Sequence, residues 1–157
     1  MKEKPALIPT HSGSLRKRIL LFVSGLFVLS FGVVLMIQAG LGVNPWDVLH
    51  IGLSQLTGIS IGAWVQIVGV TIIILTSILA KQWPQLGMLF NIFFIGWFIN
   101  LLLQLNIIPT FHHFLLQFVI LLLGIICMGF GIGMYVASNL GPGPRDWLTL
   151  VLVKKTG

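Results

Sequence analysis

The order of hydrophobic and polar positions divides the chain into four long apolar runs. They cover about residues 19–41, 60–80, 86–105 and 114–137. Each run is close to the ~20 residues that a helix needs to cross a bilayer. The pattern predicts an all-α, polytopic transmembrane helical bundle. Residues 1–18 are predicted to be a polar cytoplasmic tail, and residues 19–157 a single transmembrane domain.

A shorter stretch, 45–58, lies between the first two runs. At about 1.5 Å per residue it is roughly 21 Å long, against about 30 Å for the hydrocarbon core, so it is too short to span. One side of it carries apolar residues at helical spacing, namely Trp46, Leu49, Leu53 and Leu56. Another side carries Asp47, His50 and Ser54. The stretch therefore predicts a short amphipathic helix that is either re-entrant or interfacial.

The loop that opens this short helix occurs twice in the chain. The segment 41–47 recurs as 140–146, and aligning 25–58 with 124–157 at a constant offset of 99 gives 11 identities in 34 positions. Shared apolar bias does not explain why Gly, Pro, Asp and Thr-Gly recur in register, so the pattern indicates an internal duplication. The first repeat covers about 19–105. The second begins near 114 and is incomplete at 157, which predicts a full-length protein of about 200 residues.

Composition agrees with a membrane protein. Hydrophobic residues make up 57 % and charged residues 8 %, whereas soluble domains carry about 25 % charged residues. The net charge of +6 comes from basic residues at the ends of the apolar runs, so it does not indicate nucleic-acid binding. The single cysteine excludes a disulfide framework, and the four histidines lack metal-ligand spacing. We expect no metal and no cofactor.

The basic residues also predict the orientation. If 45–58 does not cross, four alternating spans from an inside N-terminus place all nine Lys and Arg on the cytoplasmic side. The repeat unit then contains three spans, an odd number, so the two copies are predicted to be inverted. The first Asp loop would face outward, where protons or a cationic solute arrive, and the second would face the cytoplasm.

Candidate chemistry centres on the two loops. Apart from Glu3 in the tail, the only acids are Asp47 and Asp146, at the same position of the repeat. Short helices after Gly/Pro interruptions in two corresponding halves are typical of transporter binding sites. The alternative is that each carboxylate only caps its helix. The candidate substrate-binding residues are Asn44, Asp47, His50, Arg145, Asp146 and two amides of the third span, Asn91 and Asn100.

Glycines indicate where helices pack. Gly25 and Gly32 lie seven residues apart on one face of the first span, where small residues let another helix approach. In the fourth span, Gly129, Gly131 and Gly133 fall within five residues, and Gly129 and Gly133 have GxxxG spacing. Three glycines so close together favour close packing over a kink.

The segments 40–47 and 141–146, with 89–100 between them, carry a resemblance to a known family. In these segments the chain resembles the YczE/YitT-type bacterial integral membrane proteins, and the paired Asp loops resemble the YczE-like branch. The resemblance extends over nearly everything from residue 19 onward. It implies a multi-pass protein of the bacterial cytoplasmic membrane, and it supplies a fold and a location rather than an activity.

Two classes of function remain open from the sequence. The inverted repeat and the Asp loops favour a transporter or exporter of a small solute or ion, in contact with the lipid bilayer. A non-transporting regulatory or scaffold membrane protein is the alternative. An enzyme is not expected, because the chain has no Ser/His/Asp set, paired acids on one helix or metal cluster. The sequence does not specify an oligomeric state.

Overall fold

The computed structural model describes residues 14–110 and 112–156, and this part of the chain folds into six α-helices. Four of them are long and apolar enough to cross a membrane, so the predictions of an all-helical fold and of four spans are confirmed. The two others, α2 and α6, have 13 residues each. The helices are α1 (Leu15–Ala39), α2 (Pro45–Thr57), α3 (Ile61–Ala80), α4 (Leu86–Gln104), α5 (Phe114–Ala137) and α6 (Pro144–Thr156).

Helix α1 begins earlier than predicted. It starts at Leu15 and so includes the basic residues 16–18, which the sequence pattern had assigned to the tail. Lys and Arg are good helix formers, so the helix continues beyond its apolar part. Arg18 donates from Nε to the carbonyl oxygen of Ser138 at 2.8 Å and also bonds the carbonyl of Asn139. It thereby satisfies carbonyl groups at the C-terminus of α5. The rest of the predicted tail, residues 1–13, lies outside the described part.

Helices α1 and α5 form the central pair of the bundle. A Cβ added to Gly25 would lie 2.6 Å from the Tyr135 nitrogen, and one added to Gly32 would lie 2.6 Å from the Gly124 oxygen. Residues later in α1 therefore contact residues earlier in α5, so the two helices run antiparallel. The close approach predicted at Gly25 and Gly32 is confirmed.

One of the three glycines predicted to pack in α5 does so. A Cβ on Gly129 or Gly133 would meet nothing within 4 Å, whereas one on Gly131 would lie 2.4 Å from the Leu29 nitrogen. Close packing is therefore confirmed at Gly131, but not at the pair with GxxxG spacing. Residues two apart on a helix lie about 200° apart around its axis, so the face that presents Gly131 to α1 turns its neighbours away.

Helices α3 and α4 form a second antiparallel pair. A Cβ on Gly62, near the start of α3, would lie 2.0 Å from the Gly96 oxygen, and one on Gly69 would lie 2.1 Å from Ile92. Near the end of α4, Asn100 Oδ1 accepts a hydrogen bond from the Gly62 nitrogen at 2.9 Å, and its Nδ2 donates to Ser60 Oγ at 3.0 Å. This amide joins the end of α4 to the beginning of α3.

Helix α6 starts inside the bundle and returns to the end where α5 finishes. A Cβ on Gly143, just before α6, would lie 3.8 Å from Asn91 Oδ1. Asn91 is five residues into α4, a depth of about 8 Å at 1.5 Å per residue. At the other end of α6, Lys154 and Lys155 line a surface pocket together with Gln82. The N-terminus of α6 is therefore the deeper end.

Helix α2 starts inside the bundle from the opposite side. Gly40, where α1 ends, lies near Gln117 at the beginning of α5. Four residues later, Asn44 Nδ2 lies 3.9 Å from Met128 Sδ, and Met128 is about 16 Å further along α5 than Gln117. The helix then returns, and Thr57 Oγ1 accepts from Trp64 Nε1 at 2.9 Å. The N-termini of α2 and α6 thus point inward from opposite ends.

The two loop–helix segments also match in backbone conformation. Helices α2 and α6 both begin and end at positions 99 residues apart. In the loops before them, φ is 69° at Gly40 and 53° at Asn139, then 154° at Gly42 and 144° at Gly141. Positive φ at these positions favours residues such as Gly and Asn.

Candidate functional site

Asn44 fixes the start of α2. Its backbone is extended, with φ −67° and ψ 156°, and its side-chain oxygen accepts from the nitrogens of Trp46 at 2.9 Å and Asp47 at 3.3 Å. Asn is among the best N-cap residues, and Pro45 fits the first helical position. The capping of α2 therefore falls to Asn44, and the Asp47 carboxylate is not used for it.

Asp47 is held inside the protein. It is 3 % exposed, and the side-chain amide of Asn44 donates to its Oδ2. His50 Nδ1 lies 3.6 Å from Asp47 Oδ1, and the His50 side chain is fully buried. Neither ring nitrogen of His50 has a hydrogen-bond partner among the described residues. Two ionisable groups thus lie side by side in an apolar bundle, where unpaired polar groups are costly.

Helix α2 carries its apolar side outward. Val48, Leu49 and Leu56 are 57, 44 and 85 % exposed, whereas Asp47 and His50 are buried. A helix in water would hide the leucines. This helix presents them to its surroundings and directs its polar face into the bundle, as expected of a segment that contacts lipid.

The second loop uses its aspartate differently. Gly143 occupies the position equivalent to Asn44 and has no side chain with which to cap α6. Asp146 Oδ2 instead accepts from the Gly143 nitrogen at 3.2 Å, the reach from N3 to N-cap found in capping boxes. The same oxygen accepts from the Tyr135 hydroxyl at 2.7 Å. The capping alternative thus describes Asp146 better than Asp47.

Arg145 joins the two short helices. Its guanidinium carbon lies 4.9 Å from the centroid of the Trp46 ring, a cation–π contact. Burial lowers the pKa of Arg145, and the Coulombic attraction of Asp47 opposes that shift. Trp46 and Arg145 occupy equivalent positions of the two loops, 99 residues apart. The first turns of α2 and α6 therefore meet.

A cavity of about 130 Å³ lies where these turns meet. By comparison, an engineered apolar cavity of about 150 Å³ in another protein accepts benzene, so the volume suits a solute of roughly six non-hydrogen atoms. Part of its wall is apolar. Its polar lining comes from Asn44, Asp47, Asn91, Tyr135, Arg145 and Asp146.

The structure brings five of the seven candidate residues to this cavity. His50 lies behind Asp47, and Asn100 lies at the end of α4 in its contacts with Gly62 and Ser60. Sequence reasoning missed Tyr135 and Trp46. Tyr135 is the single tyrosine of the chain, and its hydroxyl beside an acid loop was the available signal. Trp46 gave no comparable signal, because tryptophan is also common at the membrane interface.

The fold and the cavity define a multi-pass α-helical membrane protein in which two short helices meet at an internal polar site. The chain belongs to the family of unknown function DUF6198, whose model matches residues 16–157. The resemblance to YczE-like proteins is thereby confirmed.

Three relatives show what the chain is similar to. "Uncharacterized membrane protein YczE" of Bacillus subtilis (strain 168) is 38 % identical over 137 residues, which cover 87 % of this chain and 63 % of the relative. "Uncharacterized protein YyaS" of the same organism is 33 % identical, covering 82 % of this chain and 64 % of the relative. An "Uncharacterized protein" of Haemophilus influenzae is 30 % identical, and the match covers 99 % of this chain and 73 % of the relative. The chain thus spans less than two thirds of the length of the two Bacillus relatives. No solved structure matches it.

Proposed function

We propose that the protein is a transporter or exporter of a small solute in the bacterial cytoplasmic membrane, and that it is not an enzyme. The observation that carries this proposal is the meeting of two distant acid loops at one cavity. Asp47 and Asp146 line the same space although they reach it from opposite ends of the bundle. Short helices that point their N-termini at a central site are the arrangement by which many transporters bind solutes.

An inverted repeat would let this site open to either side. Gly25 packs on Gly131, and Gly32 packs on Gly124. At the offset of 99, position 25 corresponds to 124 and position 32 to 131, so the contacts are reciprocal. Reciprocal contacts are what a twofold relation produces, and the antiparallel course of α1 and α5 is what an axis across the bundle would require. Exchange between two such arrangements is a simple route to alternating access.

The grouping of charges supports a cytoplasmic N-terminus. Arg18 lies against the end of α5, Gly87 lies beside Leu140, and the lysines of α6 line a pocket with Gln82. The basic residues of the described helices, apart from Arg145, therefore gather at one end. Under the positive-inside rule, that end faces the cytoplasm.

The alternative is a regulatory or scaffold membrane protein that moves nothing. The two classes differ in what an Asp47→Asn variant would do. Asn keeps the size of the side chain and an acceptor for the Asn44 amide, and Asn44 rather than Asp47 caps α2. A structural role therefore predicts little change, whereas a binding or coupling role needs the charge.

The test is solute entry into vesicles that contain the purified protein. Osmotic swelling, followed by light scattering, would be measured for charged and neutral solutes of up to about six non-hydrogen atoms. We expect at least one solute to enter faster than into protein-free vesicles. Asp47→Asn should abolish that difference while leaving expression and melting temperature near wild type. Lys81→Gln, which removes a charge at the end of the bundle, is the matched control. Swelling equal to that of empty vesicles for every solute would favour the scaffold alternative.

A further inference from the structure

The polar groups that line the cavity differ in whether they already have hydrogen-bond partners within the protein. Both carboxylates already accept hydrogen bonds: Asp47 from the side-chain amide of Asn44, and Asp146 from Tyr135 and from the backbone of Gly143. Several donors, by contrast, have no acceptor. The carboxylates keep further lone pairs, but the unpaired groups that the structure shows at the cavity are donors.

Arg145 is the first of these donors. Its guanidinium contacts the face of the Trp46 ring, and in the described part of the chain it makes no hydrogen bond or ion pair with a carboxylate. An aromatic face attracts the charge but accepts none of the five N–H groups in the way an oxygen does. Arg145 therefore keeps its fork of donors for a planar oxygen acceptor.

Asn91 is the second donor. It lines the cavity from α4, is 3 % exposed, and its Nδ2 has no hydrogen-bond partner among the described residues. Leaving a buried amide donor without a hydrogen bond destabilises the protein. A ligand oxygen in the cavity would remove that destabilisation, so the site gains more from an acceptor than from another donor.

The N-terminus of α6 adds backbone donors. In α2, Asn44 accepts from the nitrogens of Trp46 and Asp47. In α6, Gly143 stands in the position of Asn44, and no side chain of the described residues accepts from the backbone nitrogens of Arg145 and Asp146. The two helices are therefore capped unequally, and the less capped N-terminus carries the partial positive charge that anions favour.

The net charge of the site does not oppose an anion. Asp47 and Asp146 supply two negative charges, and Arg145 offsets one of them. The N-termini of α2 and α6 contribute about half a positive charge each, so the lining is close to neutral. A lining close to neutral admits an anion, and the unpaired donors favour one.

Deepening the proposed transport function, we propose that the cavity binds a small carboxylate anion of about six non-hydrogen atoms or fewer. Its carboxylate lies at the N-terminus of α6 and accepts from Arg145 and Asn91, and its short apolar part contacts Ile92, Ile95 and Ile132 of the cavity wall. This differs from the proton or cationic solute that Asp47 alone would suggest. The volume of the cavity sets the size limit.

The test is binding of three probes of equal size to the purified protein in lipid nanodiscs. Propionate, propylamine and propionamide differ in charge and hydrogen-bonding character but have nearly the same volume. We expect propionate to bind and to raise the melting temperature, and the other two to bind at least about tenfold more weakly, since a charge-assisted hydrogen bond contributes that much or more. Equal or tighter binding of propylamine or propionamide, or no binding of propionate, would overturn the proposal.

Variants separate the donors from the carboxylates. Arg145→Gln and the isosteric Asn91→Leu should each weaken propionate binding by about tenfold or more, whereas Lys81→Gln should leave it unchanged. Asp146→Asn keeps an acceptor for Tyr135 and Gly143 but removes a negative charge, so it should tighten binding. If Asp146→Asn weakens propionate binding, the carboxylate does not repel the bound molecule as it must repel an anion, and the proposal fails. Circular dichroism and melting of each variant check folding, and Asn91→Leu and Asp146→Asn carry the test if Arg145→Gln does not fold.

The binding test of the anion site and the swelling test of transport can fail independently of each other. Propionate binding without entry of propionate or any other tested solute into vesicles would keep the anion site and refute transport. Swelling driven by an amine or an amide, with no propionate binding, would keep transport and refute the anion site.

Discussion

Replacing Gly131 by alanine tests the packing of the central helix pair. The new Cβ would lie 2.4 Å from the Leu29 nitrogen and 2.7 Å from the Gly25 oxygen. Ordinary contacts of a Cβ begin near 3.4 Å, so α1 and α5 would have to separate by about 1 Å. Both obstructing atoms belong to backbones within helices and have no rotamer by which to move aside.

The expected cost follows from two opposing terms. Overpacking of a close-packed core costs about 1–3 kcal/mol, and alanine recovers up to about 1 kcal/mol over glycine in a helix interior. The same recovery applies at Gly129 and Gly133 in α5, where a Cβ meets nothing within 4 Å. Because this gain is common to all three positions, Gly131→Ala should lower the free energy of unfolding by about 1–3 kcal/mol relative to Gly129→Ala or Gly133→Ala.

The assay is unfolding of the three variants in mixed micelles with increasing SDS, followed by circular dichroism. Because all three substitutions lie in α5, the gain in helix propensity cancels in the comparison. The remaining difference in the free energy of unfolding reports the contact with α1. If Gly131→Ala is as stable as the two control variants, the antiparallel glycine interface is wrong. The reciprocal contacts that support the inverted repeat would then be lost with it.

Three further predictions concern the loops and the topology. Asn44→Ala should lower the free energy of unfolding by about 1 kcal/mol, because α2 loses its N-cap, and chemical denaturation of the variant measures this. Asn100→Ala should destabilise the protein to a similar degree, since it breaks two hydrogen bonds between α4 and the start of α3, yet leave solute entry per folded molecule unchanged; a selective loss of entry would place Asn100 at the site. A reporter fused after Asn106 should behave as periplasmic and one after Lys81 as cytoplasmic, and the opposite pair of signals would refute the orientation.

The elements of the fold could be predicted because they depend on local and repeated signals. Apolar run length identifies the spans, and the offset of 99 places α2 and α6 at matching positions. Pro45 and Pro144 both occupy the first helical position, which their fixed φ and missing N–H favour. Predicting these features does not require knowing which helices contact each other.

The interior of the site could not be predicted in the same way. GxxxG spacing pointed to Gly129 and Gly133, but which glycine packs depends on the side from which α1 approaches. The bond from Tyr135 to Asp146 and the contact of Arg145 with Trp46 join residues that only the folded bundle brings together. The capping role of Asn44 was within reach, because Asn before Pro is a recognisable start of a helix.

The contact made by Arg18 has a consequence for how the protein is assembled. Its acceptor, the carbonyl of Ser138, lies 120 residues later in the chain. At about 5–20 residues per second, ribosomes reach that acceptor roughly 6–24 s after Arg18 has been made. During that interval the guanidinium lacks this acceptor, and in the proposed orientation it can help to retain its end of the first helix on the side of synthesis. Once α5 is inserted, the same side chain binds the end of that helix. One arginine can therefore act first as an insertion signal and later as a structural contact.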